Sequence, residues 1–212
     1  MNTVITIGRQ YGSDGRAIGE KLAKELNIPF YDKEILARAS KESGMCEEIF
    51  KENDEKKTSS FLFSLVMDSS FFGYGTTFNP NGFEMPISQK IFLAQFDTIK
   101  NIAEEGPCVI VGRCADYVLE DYDNVVNVFI HSDIETRCRV VEKRDGLSEK
   151  AALEAVVKND KERLSYYNYY TNNEWGNADN YDLTIDSGST GVDGAVELIK
   201  NFVEIVEKQR NK

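Results

Sequence analysis

Apolar positions along this chain fall into short solid runs and longer stretches in which they recur every three or four residues. The first run, Thr3-Val4-Ile5-Thr6-Ile7, is β-branched and suits a buried strand. A loop with Gly8, Gly12, Gly15 and Gly19 follows, and Ile18, Leu22 and Leu26 then mark one helix face. Asn27-Ile28-Pro29-Phe30-Tyr31-Asp32 reads as a turn and a short extended piece. Asp32 is placed to cap a helix that runs through Ile35, Leu36 and Ala39 to Gly44, or else to face the phosphate loop or a substrate. Glu47 to Lys57 is charged and reads as a solvated helix. From Thr58 to Phe83 no period appears, and Phe71, Phe72, Tyr74 and Phe78 lie close together. These aromatics pack onto the body, stack on a base or meet a second subunit, so a homodimer is one arrangement they allow.

The helical period returns at Ile87. Ile91, Phe92, Gln95, Ile99 and Ile102 share a face that ends near Gly106-Pro107. Cys108-Val109-Ile110-Val111 is a wholly apolar run of the kind buried on both faces of a parallel sheet. It leads into Gly112-Arg113, and an arginine at the C-terminal end of a central parallel strand sits where such sheets bind ligands. Val125 to Ile130 is a further strand. Residues 133–144 form a helix with Arg137, Arg139 and Arg144, which Gly146 breaks. Ser148 caps the next helix, with Ala152, Leu153, Val156 and Val157 as its apolar face and Arg163 further along. Two helices joined by a short arginine-bearing turn have the form of a closing flap. Tyr166, Tyr167, Tyr169 and Tyr170 cover the core or stack on a base. Tyr181 to Asp186 is the last strand, and an amphipathic helix from Gly191 to Lys208 closes the chain, with Val192, Ala195, Val196, Ile199 and Val203 apolar. Strands alternating with helices imply an α/β fold with a parallel sheet. With no internal repeat or low-complexity linker, residues 1–212 are expected to form one domain with a variable insertion at 45–86.

Composition narrows the function. Hydrophobic residues make up 41% and charged residues 29%, ordinary for a globular protein. The net charge of −11 argues against a nucleic-acid or membrane-surface binder, but a local arginine cluster still binds a small anion. The four cysteines are scattered without a C-x-x-C pair and read as small buried hydrophobes in a reducing compartment. A cysteine–histidine nucleophile is disfavoured because the single histidine, His131, ends a strand-like run. No signal-peptide pattern or transmembrane-length apolar run appears, so a cytoplasmic protein is expected.

The chemistry concentrates in the first loop. Strand, glycine loop and helix is the layout in which free N–H groups at a helix start cradle an anion. The standard phosphate-loop pattern is G-x-x-x-x-G-K-[ST]. Here it reads Gln10-Tyr11-Gly12-Ser13-Asp14-Gly15-Arg16-Ala17, so the layout carries the signal and the residue pattern does not match. Arg16 still offers a permanent cation with a planar fork. Ala17 cannot ligate magnesium, and no metal-ligating residues are predicted. The alternative is a plain glycine-rich turn. A dinucleotide-binding fold is excluded by the glycine spacing and by the lack of an acidic strand end about 20 residues on.

Five segments together resemble the cytidylate kinase-like family of phosphate-loop nucleoside monophosphate kinases: ITIGRQYGSDGRAIG at 5–19, PFYDKEIL at 29–36, CVIVGRCADYVL at 108–119, DKERLSYYNYYT at 160–171 and WGNADNYDL at 175–183. The resemblance implies a five-stranded parallel sheet flanked by helices, an arginine-bearing lid over about 137–170, and transfer of the ATP γ-phosphoryl group to a nucleoside monophosphate or similar acceptor with Mg2+. In that scheme Tyr11, Gly12, Ser13, Asp14, Gly15, Arg16 and Ala17 hold the ATP phosphates. Arg16, Arg137 and Arg144 act on the transferring group. Asp32, Arg113, Arg163 and Tyr166 serve the acceptor. Cytidylate kinases carry R-D-x-x-D-x-x-R where this chain has Asn159-Asp160-Lys161-Glu162-Arg163-Leu164-Ser165-Tyr166. Each hydrogen bond lost from a buried polar edge costs about 1–3 kcal/mol, which argues against CMP as acceptor. A different class of function, a nucleotide-binding regulator that kept the fold and lost turnover, accounts better for Arg16 and Ala17. The kinase reading accounts better for Arg113, Arg137 and Arg144.

Overall fold

The computed structural model describes residues 2–52 and 85–210. The aromatic segment 58–83 and the part of the charged helix beyond Glu52 lie outside the described residues. The central strand β1 (Val4–Arg9) pairs in parallel with β3 (Val109–Val111) on one side and β4 (Val125–His131) on the other. The short strand β2 (Phe30–Tyr31) joins β3, and β5 (Leu183–Asp186) joins β4, which gives the order β2-β3-β1-β4-β5 with every pair parallel. The extended piece before Asp32 is therefore a true strand.

Side chains alternate between the faces of a strand, and each face here has its own helices. Ile5, Ile7, Val109, Val111, Val126 and Val128 pack with α1 (Gly15–Leu26) and the last helix, α8 (Ser187–Arg210). Val4, Ile110 and Val125 pack on the other face with α2 (Glu34–Ser43), α4 (Ile87–Glu105) and the short α5 (Ala115–Val118). The solid apolar runs are thus strands covered on both sides. α3 (Glu47–Glu52) is solvated along most of its length but buries Phe50 against Leu36, Ala39 and Ile91.

Beyond β4, α6 (Ile134–Asp145) begins at Asp133, whose side chain accepts the Thr136 N–H. Gly146 turns the chain into α7 (Glu149–Thr171), capped by Ser148. Of the apolar face expected for α7, Ala152 and Val156 are buried against α6, whereas Leu153 and Val157 remain exposed. The contact stripe is narrower than the periodicity implies. α8 starts at Ser187, earlier than expected, and Gly191 kinks it with φ 63° and ψ 178°. Cys46 is exposed, and the other three cysteines are buried as expected.

Asp32 does not cap α2. The cap position is Lys33, and the Asp32 carboxylate turns toward the sheet edge instead. β2 also runs directly into Asp32, so an acidic strand end does follow the glycine loop.

The tyrosine-rich end of α7 covers the core. Tyr170 stacks on Phe92 of α4 with ring centroids 4.1 Å apart and planes 10° from parallel, and Tyr166 packs beside them. Tyr167 donates its hydroxyl to Asp116 of α5 at 2.6 Å. Burial pushes the Asp116 carboxyl up to about 6, with the Tyr167 hydroxyl opposing the rise.

Two outcomes follow from this packing. Phe92→Ala should cost about 3–5 kcal/mol in urea unfolding, because it removes the ring on which Tyr170 stacks. The raised Asp116 value means that its contribution to stability is present below the ordinary aspartate range and is lost as pH rises through about 6. Asp116→Asn keeps an acceptor for the Tyr167 hydroxyl and carries no buried charge, so it should melt a few degrees higher than the parent near pH 8 and lose the decline in Tm between pH 4 and 7.

Candidate active site

The loop that leaves β1 is held at its ends and open at its centre. The Gln10 N–H donates to Ile130 O at 3.0 Å, and the Gln10 side-chain oxygen accepts the Ser132 N–H at 3.1 Å. Ser13 turns its hydroxyl inward to Gln10 O and Ile130 O, at 2.9 and 3.1 Å. Gly12 has φ 79° and lies so close to α6 that a Cβ would stand 2.7 Å from Arg137 O. Asp14 is left-handed at φ 56°, and its carboxylate makes no cap hydrogen bond. Among the described residues, no hydrogen-bond acceptor takes the N–H groups of Gly12, Asp14, Gly15 and Arg16. These first-turn donors stand at the positive end of the α1 dipole.

Two helices brace this ring of donors. Asp160 of α7 accepts the Tyr11 N–H at 2.7 Å and forms an ion pair with Arg137 of α6. Arg137, 6% exposed, also donates to Ser132 O at 3.0 Å and to Tyr11 O at 3.2 Å. Two guanidiniums approach the Tyr11 ring, Arg144 at 4.9 Å and Arg163 at 5.5 Å from its centroid. Arg144 donates to the Tyr11 hydroxyl at 2.8 Å and Arg163 to Arg9 O at 3.1 Å. Burial pushes the Asp14 carboxyl up, opposed by Arg144.

A cavity of about 520 Å³ opens over the loop at the C-terminal edge of β1, β2 and β3. On its far side sits Asp32, 5% exposed, between two arginines. Its Oδ2 accepts from Arg16 Nε at 2.7 Å, and its Oδ1 accepts from Arg113 Nη1 at 3.2 Å. Arg113 is buried and also donates to Val111 O at 3.4 Å. Arg16 reaches across the cavity with its guanidinium 5.8 Å from the Phe30 ring.

Ten of the residues singled out from sequence line this one space: Tyr11, Gly12, Asp14, Gly15, Arg16 and Ala17 on the loop side, Asp32, Arg113, Arg144 and Arg163 around it. Three do not. Ser13 points its hydroxyl into the loop, Arg137 lies beneath the loop as a brace, and Tyr166 is buried in the aromatic cluster beside Phe92 and Tyr170. Sequence reasoning missed Asp160 as the acceptor for the loop, and it missed Lys33, Asn159 and Glu162 in the lining. Only the aligned aspartate of the family segment pointed toward Asp160, and it pointed to the acceptor rather than to the loop. Among the described residues Arg139 bonds only along its own helix, and it is exposed.

The loop does not offer magnesium the hydroxyl ligand of the standard phosphate-loop pattern. Ala17 has no hydroxyl, the Ser13 hydroxyl is turned away, and Asp32 is engaged by two arginines. Among the described residues no group of three His, Cys, Asp or Glu side chains is arranged for a metal. Magnesium is commonly carried by phosphate oxygens and water with few protein ligands.

The family model described as the cytidylate kinase-like family matches residues 4–189. The cytidylate kinase of Archaeoglobus fulgidus is 32% identical over 110 residues, 51% of this chain and 59% of that protein. The cytidylate kinase of Methanococcus vannielii is 25% identical over 104 residues, 48% of this chain and 60% of that protein. The chain thus matches about three fifths of the length of these relatives. An uncharacterized protein from Eubacterium ventriosum has a crystal structure that superposes with TM-score 0.70 at 31% identity, covering 95% of this chain and 98% of that one. Shikimate kinase from Bacteroides thetaiotaomicron superposes with TM-score 0.54 at 12% identity, covering 96% and 99%, a likeness of fold alone. With a family match that runs from the first strand past the last, on a five-stranded parallel sheet of the phosphate-loop kinase type, this chain belongs to the cytidylate kinase-like family.

Proposed function

We propose that the protein is a phosphotransferase that moves the γ-phosphoryl group of ATP to a small acceptor, such as a nucleotide, bound in the same cavity. One observation carries this reading: the open N–H groups of Gly12, Asp14, Gly15 and Arg16 and the Asp32–Arg113 pair border a single space, with the Arg16 side chain between them. Phosphoryl transfer depends on positioning and charge neutralisation more than on covalent chemistry, and these parts supply both. The N–H ring receives the phosphate chain of ATP. Arg16 is the mobile cation: 55% exposed, it can trade Asp32 for a phosphate oxygen. Arg144, at the lid turn and in contact with Tyr11, stands where charge spreads in the transition state. Mg2+ enters on the nucleotide, and no role for this chain's residues depends on holding it.

CMP is disfavoured as acceptor. Asn159, Arg163 and Tyr166 replace groups of the family's acceptor-reading segment, Tyr166 is buried among aromatics, and the Asp160 carboxylate is committed to Tyr11 and Arg137. A second reading, a nucleotide-binding regulator without turnover, is favoured by the missing hydroxyl at Ala17 and the inward Ser13. Labelled ATP with magnesium and an acceptor panel separates the two: transfer supports the kinase, and binding without transfer supports the regulator. Arg16→Ala should weaken ATP binding by about tenfold or more in calorimetry, the loss of a hydrogen bond to a charged group. Unchanged affinity would remove Arg16 from the phosphate site.

A further inference from the structure

Large apolar side chains left in solvent are spread unevenly over this fold. Of the eight exposed among the described residues, five lie on the α6–α7 hairpin: Ile134, Leu147, Leu153, Val157 and Leu164. Ile134 begins α6, Leu147 sits in the turn, and the other three are on α7. Helix α7 thus has two apolar faces. Ala152 and Val156 meet α6, while Leu153, Val157 and Leu164 remain 44, 53 and 43% exposed. At about 3.6 residues per turn, Leu153, Val157, Lys161 and Leu164 form one stripe, which Lys150 continues toward Leu147. Lysine stems are apolar and cover such a surface while their amines reach past it to water. A contiguous exposed face of this kind marks a contact with another macromolecule.

The charges beside the stripe specify what covers it. Glu154 and Lys158 run along one border, both exposed, and neither forms an ion pair among the described residues. When two identical helices pair antiparallel, like borders face each other, so a border carrying both signs is complementary to itself. A two-fold axis level with residue 156 sets Glu154 opposite the partner's Lys158, and Lys158 opposite the partner's Glu154. In the same register the two Val157 side chains flank the axis, and Leu153 falls between the partner's Val157 and Lys161. Leu164 falls between the partner's Leu147 and Lys150. Each exposed apolar residue of α7 finds a gap in the facing stripe. Lys150 comes near the partner's Lys161, but both are long enough to turn their amines to water, where like charges are screened.

We propose that the outer face of α7 is the contact between two copies of this chain, joined antiparallel across a two-fold axis. One pair of helical faces buries less than a standard interface of about 1,600 Å², so the dimer is reversible, with a Kd on the order of 10–100 µM. The cavity stays open in it, because the α7 residues that line the cavity, Asn159, Glu162 and Arg163, lie on other sides of the helix.

Sedimentation velocity on the full chain, between about 5 and 500 µM, tests this, since a reversible dimer dissociates on dilution. Wild-type protein should pass from monomer to dimer over that range, and a monomer throughout overturns the proposal. Val157→Glu should remain monomeric, and a dimer that survives it overturns the choice of surface in favour of another part of the chain. Charge reversals test the register. Glu154→Lys alone and Lys158→Glu alone each set like charges opposite one another and should weaken self-association about tenfold or more. Mixed in equal amounts, these two variants are complementary and should form a heterodimer with wild-type affinity. If the mixture associates no better than its components, the antiparallel pairing is overturned. All three substitutions are at exposed positions, and the mixing result decides the matter even if Val157→Glu does not fold.

Discussion

A loop that offers several main-chain donors to a ligand cannot stiffen itself with those same donors. Bracing must come from outside the loop, and here it comes from Asp160 and Arg137. Asp160 takes the Tyr11 N–H, Arg137 takes the Tyr11 and Ser132 carbonyls, and the two side chains hold each other. With Ser13 tying the base of the loop to Gln10 and Ile130, the N–H groups of Gly12, Asp14, Gly15 and Arg16, which line the cavity, are left without an acceptor among the described residues. The fold supplies this economically. β1 is central, β4 beside it carries Ile130 and leads to α6, and α7 returns across the loop.

Charge is handled the same way, pair by pair. The chain has a net charge of −11, yet arginines gather around the cavity, and four of them are matched to an acid or a carbonyl. Arg144 pairs with Asp145, Arg113 and Arg16 with Asp32, and Arg163 with Arg9 O. Exposed ion pairs contribute little to stability, and in the buried Arg113–Asp32 pair desolvation offsets much of the attraction. The value of the buried pair is in orientation: it fixes where the Arg113 guanidinium points before any ligand arrives.

How much of this the sequence discloses depends on range. β1, its glycine loop and α1 are legible because period and loop chemistry are local, and so are β3, β4 and the cap at Ser148. Of the two readings of Asp32, the helix cap looks natural because an Asp just before an apolar period resembles one, but the carboxylate faces the loop's Arg16 instead. Its real partners, Arg16 and Arg113, lie 16 and 81 residues away. The burial of Arg137 is hidden for a similar reason. α6 is rich in Glu, Arg and Lys and reads as one arm of an arginine-bearing flap, while the contacts that bury Arg137 come from the loop and from α7. Leu153 and Val157 mislead in the other direction, since α7 packs along a stripe narrower than its apolar residues describe.

α7 spans 23 residues, a rod of about 34 Å at the usual helical rise. Its N-terminal part packs on α6 through Ala152 and Val156, its middle grips the loop through Asp160 and Arg163, and its far end is wedged by Tyr166 and Tyr170 against Phe92. A stiff shaft fastened at three places couples the loop on one side of the molecule to the aromatic cluster on the other.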